Sequence, residues 1–158
     1  MIIREYQPQD RKALVKLVEN FQDYLVKIDP LKRLRREPAY GQVYTQRVLK
    51  QVRNDTLFVA EESGRPVGFI AGIIQKQPKW DLLQTPPTKA GRITELYLEP
   101  DYRRKKLGTQ LIEKMEAWLK TKGCDILRVE VFAPNKSAHA FYHKRMYADR
   151  SIDLIKKI

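Results

Sequence analysis

The sequence predicts a single α/β domain, and three stretches carry that prediction. A β-branched and aromatic run, Arg92-Ile93-Thr94-Glu95-Leu96-Tyr97-Leu98, leads through a cationic turn into a stripe of Leu111, Ile112, Met115, Trp118 and Leu119. The first pattern is that of a strand, the second that of an amphipathic helix. Further on, Leu127-Arg128-Val129-Glu130-Val131-Phe132-Ala133 alternates strictly, as a half-buried strand does. A chain of 158 residues fits one hydrophobic core, and no Pro/Gly/Ser-rich linker or repeat divides it, so residues 1–158 read as one domain.

The remaining elements follow in order. Ile2-Ile3-Arg4-Glu5-Tyr6 is a first strand. Asp10 is the expected N-cap of a helix that carries Leu14, Leu17, Val18, Phe21 and Leu25 on one face, and Asp29-Pro30 ends it. Residues 40–52 form a second helix with Val43, Val48, Leu49 and Val52 as its apolar positions. Residues 56–61 and 67–74 are two strands joined by the turn Ser63-Gly64-Arg65-Pro66. Residues 77–90 contain three prolines, Trp80 and little periodicity, and read as a loop. Residues 134–144 form a short helix.

Between strand 92–98 and the helix after it lies Tyr102-Arg103-Arg104-Lys105-Lys106-Leu107-Gly108-Thr109. The first N–H groups of a helix lack intrahelical partners and carry partial positive charge, so an anion placed there satisfies both. Four cations crowded at that end are mutually unfavourable unless they share an anionic partner. The turn therefore reads as a phosphate site. The net charge of +12 and a pI near 9.8 point the same way, towards polyanionic partners such as a phosphorylated cofactor, nucleic acid or an acidic protein. The runs Leu31-Lys32-Arg33-Leu34-Arg35-Arg36 and Lys156-Lys157 exceed what one cofactor requires. The first residues lack the apolar run of a signal peptide and no stretch has the length of a membrane span, while the single cysteine, Cys124, excludes an internal disulfide. A cytoplasmic protein is expected, with Cys124 structural.

Arg103-x-x-x-x-Gly108, followed by Asn135-x-x-Ala138-x-x-Phe141-Tyr142, resembles the GCN5-related N-acetyltransferase (GNAT) family over about residues 56–147. Two positions depart from the family pattern. Lys106 stands where the first glycine of the phosphate loop is usual, and Met146-Tyr147 stands where the last helix usually ends in Gly-Phe. Without that glycine the helix must stop another way. The resemblance implies a central mixed, mostly antiparallel twisted sheet flanked by helices, with acetyl-CoA bound between two splayed strands. It implies contacts to acetyl-CoA from Leu96, Tyr97 and Leu98 of the first splayed strand, from the turn Arg103, Arg104, Lys105, Lys106, Leu107, Gly108 and Thr109, and from Asn135 and Tyr142. An oxyanion donor is implied at the backbone N–H near Leu98. Residues 23–47 and 77–90 would face the acceptor.

Acetyl transfer to an amine needs a neutral nucleophile, a stabilised oxyanion and a protonated leaving group. An alkyl ammonium ordinarily titrates near 10.4, so a general base is required at neutral pH. Glu95 and Glu130 are the two candidates. Glu130 lies between Val129 and Val131 and has the spacing to Tyr142 that the family's peptide N-terminal acetyltransferases use. Glu95 is expected to share a face with Ile93 and Tyr97, where partial burial would raise its pKa. Tyr142 matches the family's general acid, its phenol protonated at neutral pH. His139 and His143 sit one helical turn apart, but the His-Glu-x-x-His pattern is absent, so no metal is expected. The function so read is acetyl-CoA-dependent N-acetylation of a primary amine on a small molecule or peptide. The alternative is a ribosome- or nucleic-acid-associated binding protein that retains the CoA site, and either reading leaves room for a homodimer.

Overall fold

The computed structural model describes residues 1–52 and 56–156, so Lys157 of the C-terminal basic pair lies outside the described residues. Five strands form one open sheet in the order β1-β2-β3-β4-β5: Ile2–Glu5, Leu57–Glu62, Arg65–Gln75, Ala90–Leu98 and Ile126–Val129. The first four pair antiparallel and β5 pairs parallel to β4, which is the mixed, mostly antiparallel sheet expected. Helices α1 (Arg11–Ile28) and α2 (Tyr40–Val52) cover one face. Helices α3 (Leu107–Thr121) and α4 (Lys136–His143) cover the other.

Local chemistry accounts for most of these elements. The hairpin between β2 and β3 closes through Ser63 (φ 49°) and Gly64 (φ 79°), the two positive φ values that suit a tight turn between right-twisted strands. On α1, Leu14, Leu17 and Val18 bury against β2 and β3, and Phe21 stacks on Tyr97 at 5.4 Å. On α3, Leu111, Ile112, Met115 and Leu119 are fully buried on the opposite side. Gly68 of β3 is required by close approach, because a Cβ there would meet the Leu98 side chain and stand 2.7 Å from the Tyr97 carbonyl. That tight contact seats the end of β4, where the site forms.

The structure corrects several expectations. Asp10 occupies the N-cap position of α1 as expected, but its side chain does not make the capping bond. Its carboxylate accepts from the Gln7 N–H at 2.8 Å and from Arg4 at 2.7 and 2.8 Å, and these bonds hold it below the usual carboxylate range. Val43 is exposed, since α2 packs through Val48, Val52 and the partly buried Leu49 instead. Asp29 does end α1, its carboxylate accepting from the N–H groups of Leu31, Arg33 and Leu34. The loop before β4 contains a 3-10 turn at Lys79–Leu83. Most consequential, β5 stops at Val129 rather than running to Ala133.

A further correction concerns the faces of β4. Ala71 pairs with Glu95 but Gly72 pairs with Ile93, so Thr94 is an extra residue in the ladder. Such a bulge shifts the phase of the side chains by one position. Ile93 therefore joins Leu111 and Met115 on the α3 face, while Tyr97 joins Leu17 and Phe69 on the α1 and α2 face. Glu95 shares its face with Tyr97 only.

The last helix ends as a glycine-capped helix would, without the glycine. Met146 adopts φ 66°, its N–H donates to the His143 carbonyl at 3.0 Å, and the Tyr147 N–H donates to the Tyr142 carbonyl at 3.2 Å. That is the Schellman pair of bonds. Tyr147 packs edge-on against Tyr142 at 5.4 Å and donates its hydroxyl to Glu116 at 2.8 Å. A left-handed conformation costs an L-residue about 1–2 kcal/mol, partly offset in glycine by its larger entropy loss. Because Met146 is 92% exposed, Met146→Gly should stabilise the protein by about 1 kcal/mol, read as a rise in Tm of roughly 2–4 °C. An unchanged or lowered Tm would mean that the turn is unstrained.

Candidate active site

The parting of β4 from β5 creates the site. Their pairing ends at Ile93↔Val129, yet β4 continues to Leu98, so residues 94–98 border an open cleft on that side. The Glu99 N–H donates to the Val67 carbonyl across the Gly68↔Leu98 pair. That makes the pair a non-hydrogen-bonded one, so the N–H and C=O of Leu98 turn away from β3 into the cleft. Leu96, two residues earlier, turns the same way. The Leu98 carbonyl is taken by Arg103 Nε at 3.0 Å, leaving its N–H facing the opening.

One end of the cleft is the cationic turn. Arg104 and Lys106 adopt left-handed conformations, φ 61° and 63°, and no side chain caps the first turn of α3. The N–H groups of Leu107, Gly108 and Thr109 are thus the unpartnered donors of a helix start, with the first intrahelical bond running from Gln110 to the Lys106 carbonyl at 3.0 Å. Arg104, Lys105 and Lys106 are exposed beside them. Arg103 is not available in the same way, because its guanidinium folds back over Tyr24 (4.9 Å) and Tyr97 (5.5 Å). Arg145 takes its place as a neighbouring cation. Its Nη2 donates to the Thr109 hydroxyl, its Nη1 to the Phe141 carbonyl at 3.0 Å, and it lies 3.7 Å over the Phe141 ring. Nothing in the fold itself requires glycine at 108. A Cβ there would make only ordinary contacts with Leu98 and Phe141, at 3.5 Å.

Two buried groups, Glu95 on β4 and Tyr142 on α4, carry the titratable chemistry. Glu95 is 9% exposed, and burial pushes its carboxyl up to about 7, against the downward pull of a hydrogen bond from Tyr44 and the charge of Arg47. The Tyr44 hydroxyl donates to Glu95 Oε1 at 2.5 Å, and Tyr40 stacks on Tyr44 at 5.1 Å. Tyr142, at 6% exposure, is buried on α4. Its phenol is raised above its ordinary range first by desolvation and next by the charge of Glu95, so the two groups are near enough to sense each other. Asn135 caps α4, its Oδ1 accepting from the Ala138 N–H, the Ser137 hydroxyl and the Tyr24 hydroxyl.

Glu130 is differently situated. It follows the end of β5, is 82% exposed and pairs with Arg92 at 2.6 Å. A carboxylate in that setting is solvated and already partnered. Tyr44, Arg47 and Arg145 escaped the sequence reading, although Tyr40 and Tyr44 at helical spacing gave one signal of an aromatic surface. The basic run 31–36 is partly neutralised within the chain, by Arg35–Glu37 at 3.2 Å and Arg36–Asp23 at 2.6 Å. Cys124 is partly buried between α3 and β5, and desolvation raises its thiol, as befits a structural residue.

Comparison with known proteins bears on this arrangement. Residues 18–146 match the sequence model of the Acetyltransferase (GNAT) family. An uncharacterized N-acetyltransferase from Methanocaldococcus jannaschii is 31% identical over 98 residues, 62% of this chain and 41% of that protein. The aminoglycoside N(6')-acetyltransferase type 1 of Acinetobacter genomosp. 13 is 26% identical over 98 residues, 61% of this chain and 64% of that protein. The chain thus spans less than two thirds of either relative. Among solved structures, a mutant of the BH1408 protein from Bacillus halodurans superposes with a TM-score of 0.86 at 20% identity, covering 100% of this chain and 99% of the other. At that identity the likeness is one of fold.

Proposed function

The chain belongs to the GNAT acetyltransferase family, and from that premise we propose that it moves the acetyl group of acetyl-CoA to a primary amine of a small molecule or peptide. The observation that carries this reading is the pairing of a buried carboxyl titrating near 7 with a buried phenol at the point where β4 and β5 part. Glu95 takes a proton from the acceptor ammonium, directly or through one water. The freed nitrogen attacks the thioester carbon, and the oxyanion that forms meets the Leu98 N–H. Such a preorganised donor contributes about 3 kcal/mol. Collapse of the adduct breaks the C–S bond as Tyr142 gives its proton to the departing sulfur, and the second ammonium proton returns to the Tyr142 oxygen.

Full transfer from a phenol to a free thiolate runs uphill by about 1.5 pKa units, some 2 kcal/mol, even at ordinary values. Burial of Tyr142 widens that gap. Its donation therefore accompanies C–S cleavage, strengthening as charge builds on sulfur, rather than following it. Tyr24, Tyr44 and Tyr97 line the acceptor side together with Arg47 and Arg103. Those guanidiniums, on a chain of net charge +12, favour an amine with little further positive charge over a polycation. The test is thiol release from acetyl-CoA across a panel of alkyl amines, peptides and aminoglycosides. Release that depends on an amine supports the reading, and none with any amine refutes it.

The CoA pyrophosphate is assigned to the N–H groups at residues 107–109 with Arg104, Lys105, Lys106 and Arg145 around it. A ligand that binds only the folded state raises the melting temperature. Millimolar acetyl-CoA should do so for the wild type and much less for Gly108→Asp, whose carboxylate would occupy phosphate space. Since a Cβ at 108 meets only ordinary contacts, the variant should fold and the comparison is clean. An equal shift in both proteins would overturn the assignment.

A further inference from the structure

Away from the cleft, three side chains converge at the far end of α4. His139 and His143 lie one turn apart on the helix, and the reversal at Met146 brings Asp149 back beside them. His139 Nε2 stands 2.8 Å from Asp149 Oδ1, His143 Nε2 stands 3.0 Å from the same oxygen, and the two Nε2 atoms stand 3.1 Å apart. The three atoms form a nearly equilateral triangle. Hydrogen bonding alone does not satisfy it. If both imidazoles donate to the carboxylate, the two nitrogens meet as donor against donor. If one imidazole donates to the other, the bare nitrogen meets the carboxylate as acceptor against acceptor.

A cation at the centre removes the conflict, because all three lone pairs then point inward. We propose that His139 Nε2, His143 Nε2 and Asp149 Oδ1 form a binding site for a divalent transition cation, Zn²⁺ by its donor set, which clips the chain beyond α4 to that helix. Tetrahedral zinc with bonds of about 2.0–2.1 Å sets its ligand atoms roughly 3.3 Å apart, close to the spacing here. Two imidazoles and one carboxylate suit zinc and its neighbours, whereas calcium and magnesium require more oxygens. The side chains are 46%, 44% and 59% exposed, so a fourth position is open to water. The sequence signal was incomplete because Asp149 lies beyond the helix, outside the His-Glu-x-x-His frame.

The experiment is calorimetric titration of ZnCl₂ into tag-free, chelator-treated protein at pH 7.5, with Co²⁺ absorption as a second readout. Saturation at one metal per chain, a tetrahedral Co²⁺ band and a Tm raised by zinc are expected. Asp149→Asn and His143→Ala should each weaken zinc by more than about tenfold. Both sites are on the surface, so each variant should melt like the wild type in chelator. Acidification should release the metal, since its ligands bind deprotonated. Absence of saturable binding, or Asp149→Asn binding zinc as tightly as the wild type, would overturn the proposal.

Discussion

Tyr142→Phe is expected to lower kcat by about 10²- to 10⁴-fold while leaving acetyl-CoA binding nearly unchanged, the range over which general acid catalysis contributes. The substitution keeps the ring that packs edge-on between Phe141 and Tyr147, at 5.3 and 5.4 Å, so the core on that side should not collapse. Two measurements separate the roles: kcat at saturating acetyl-CoA, and the thermal shift that acetyl-CoA produces. A variant that turns over at the wild-type rate would make Tyr142 a packing residue. One that loses the thermal shift would make it a binding residue.

Glu95→Gln has the second large effect, and it has two opposite faces. Activity should fall by a similar 10²- to 10⁴-fold, since glutamine cannot accept the ammonium proton. Stability should rise. The folded-state pKa of about 7 lies above the ordinary 4.5, so the folded protein holds this proton more tightly than the unfolded chain does. That contribution is fully present below about pH 4.5 and is lost as pH rises through 7. The shift of about 2.5 units corresponds to about 3 kcal/mol at most. Glutamine mimics the protonated acid and keeps an acceptor for the Tyr44 hydroxyl, so the variant should be more stable than the wild type at pH 8 and lose that advantage towards pH 5. Equal stability at both pH values would mean that Glu95 ionises without cost.

What could be read from the sequence was what neighbouring residues decide. The cationic turn, the α3 stripe and the α2 boundaries follow from local spacing. What escaped depends on partners far along the chain. The bulge at Thr94 moves Ile93 to the other face from Glu95, and only the register with Ala71 and Gly72 reveals it. Strict alternation at 127–133 suggested a longer β5, but β4 turns away after Ile93 and leaves Glu130 without a pairing strand. Tyr44 reaches Glu95 from 51 residues away, and Arg145 reaches Thr109 from 36. Arg103, counted among the phosphate cations, is drawn instead onto the rings of Tyr24 and Tyr97.

The assignment of Glu95 as base rests on a buried carboxyl near 7, while Glu130 is exposed and paired with Arg92. The most direct test is the pH dependence of kcat/KM for the wild type, Glu95→Gln and Glu130→Gln, measured with one amine from about pH 5.5 to 9. The wild type and Glu130→Gln should share an acidic limb with an apparent pKa near 7, and Glu95→Gln should be slow and lack it. An acidic limb that survives in Glu95→Gln and disappears in Glu130→Gln would contradict the account.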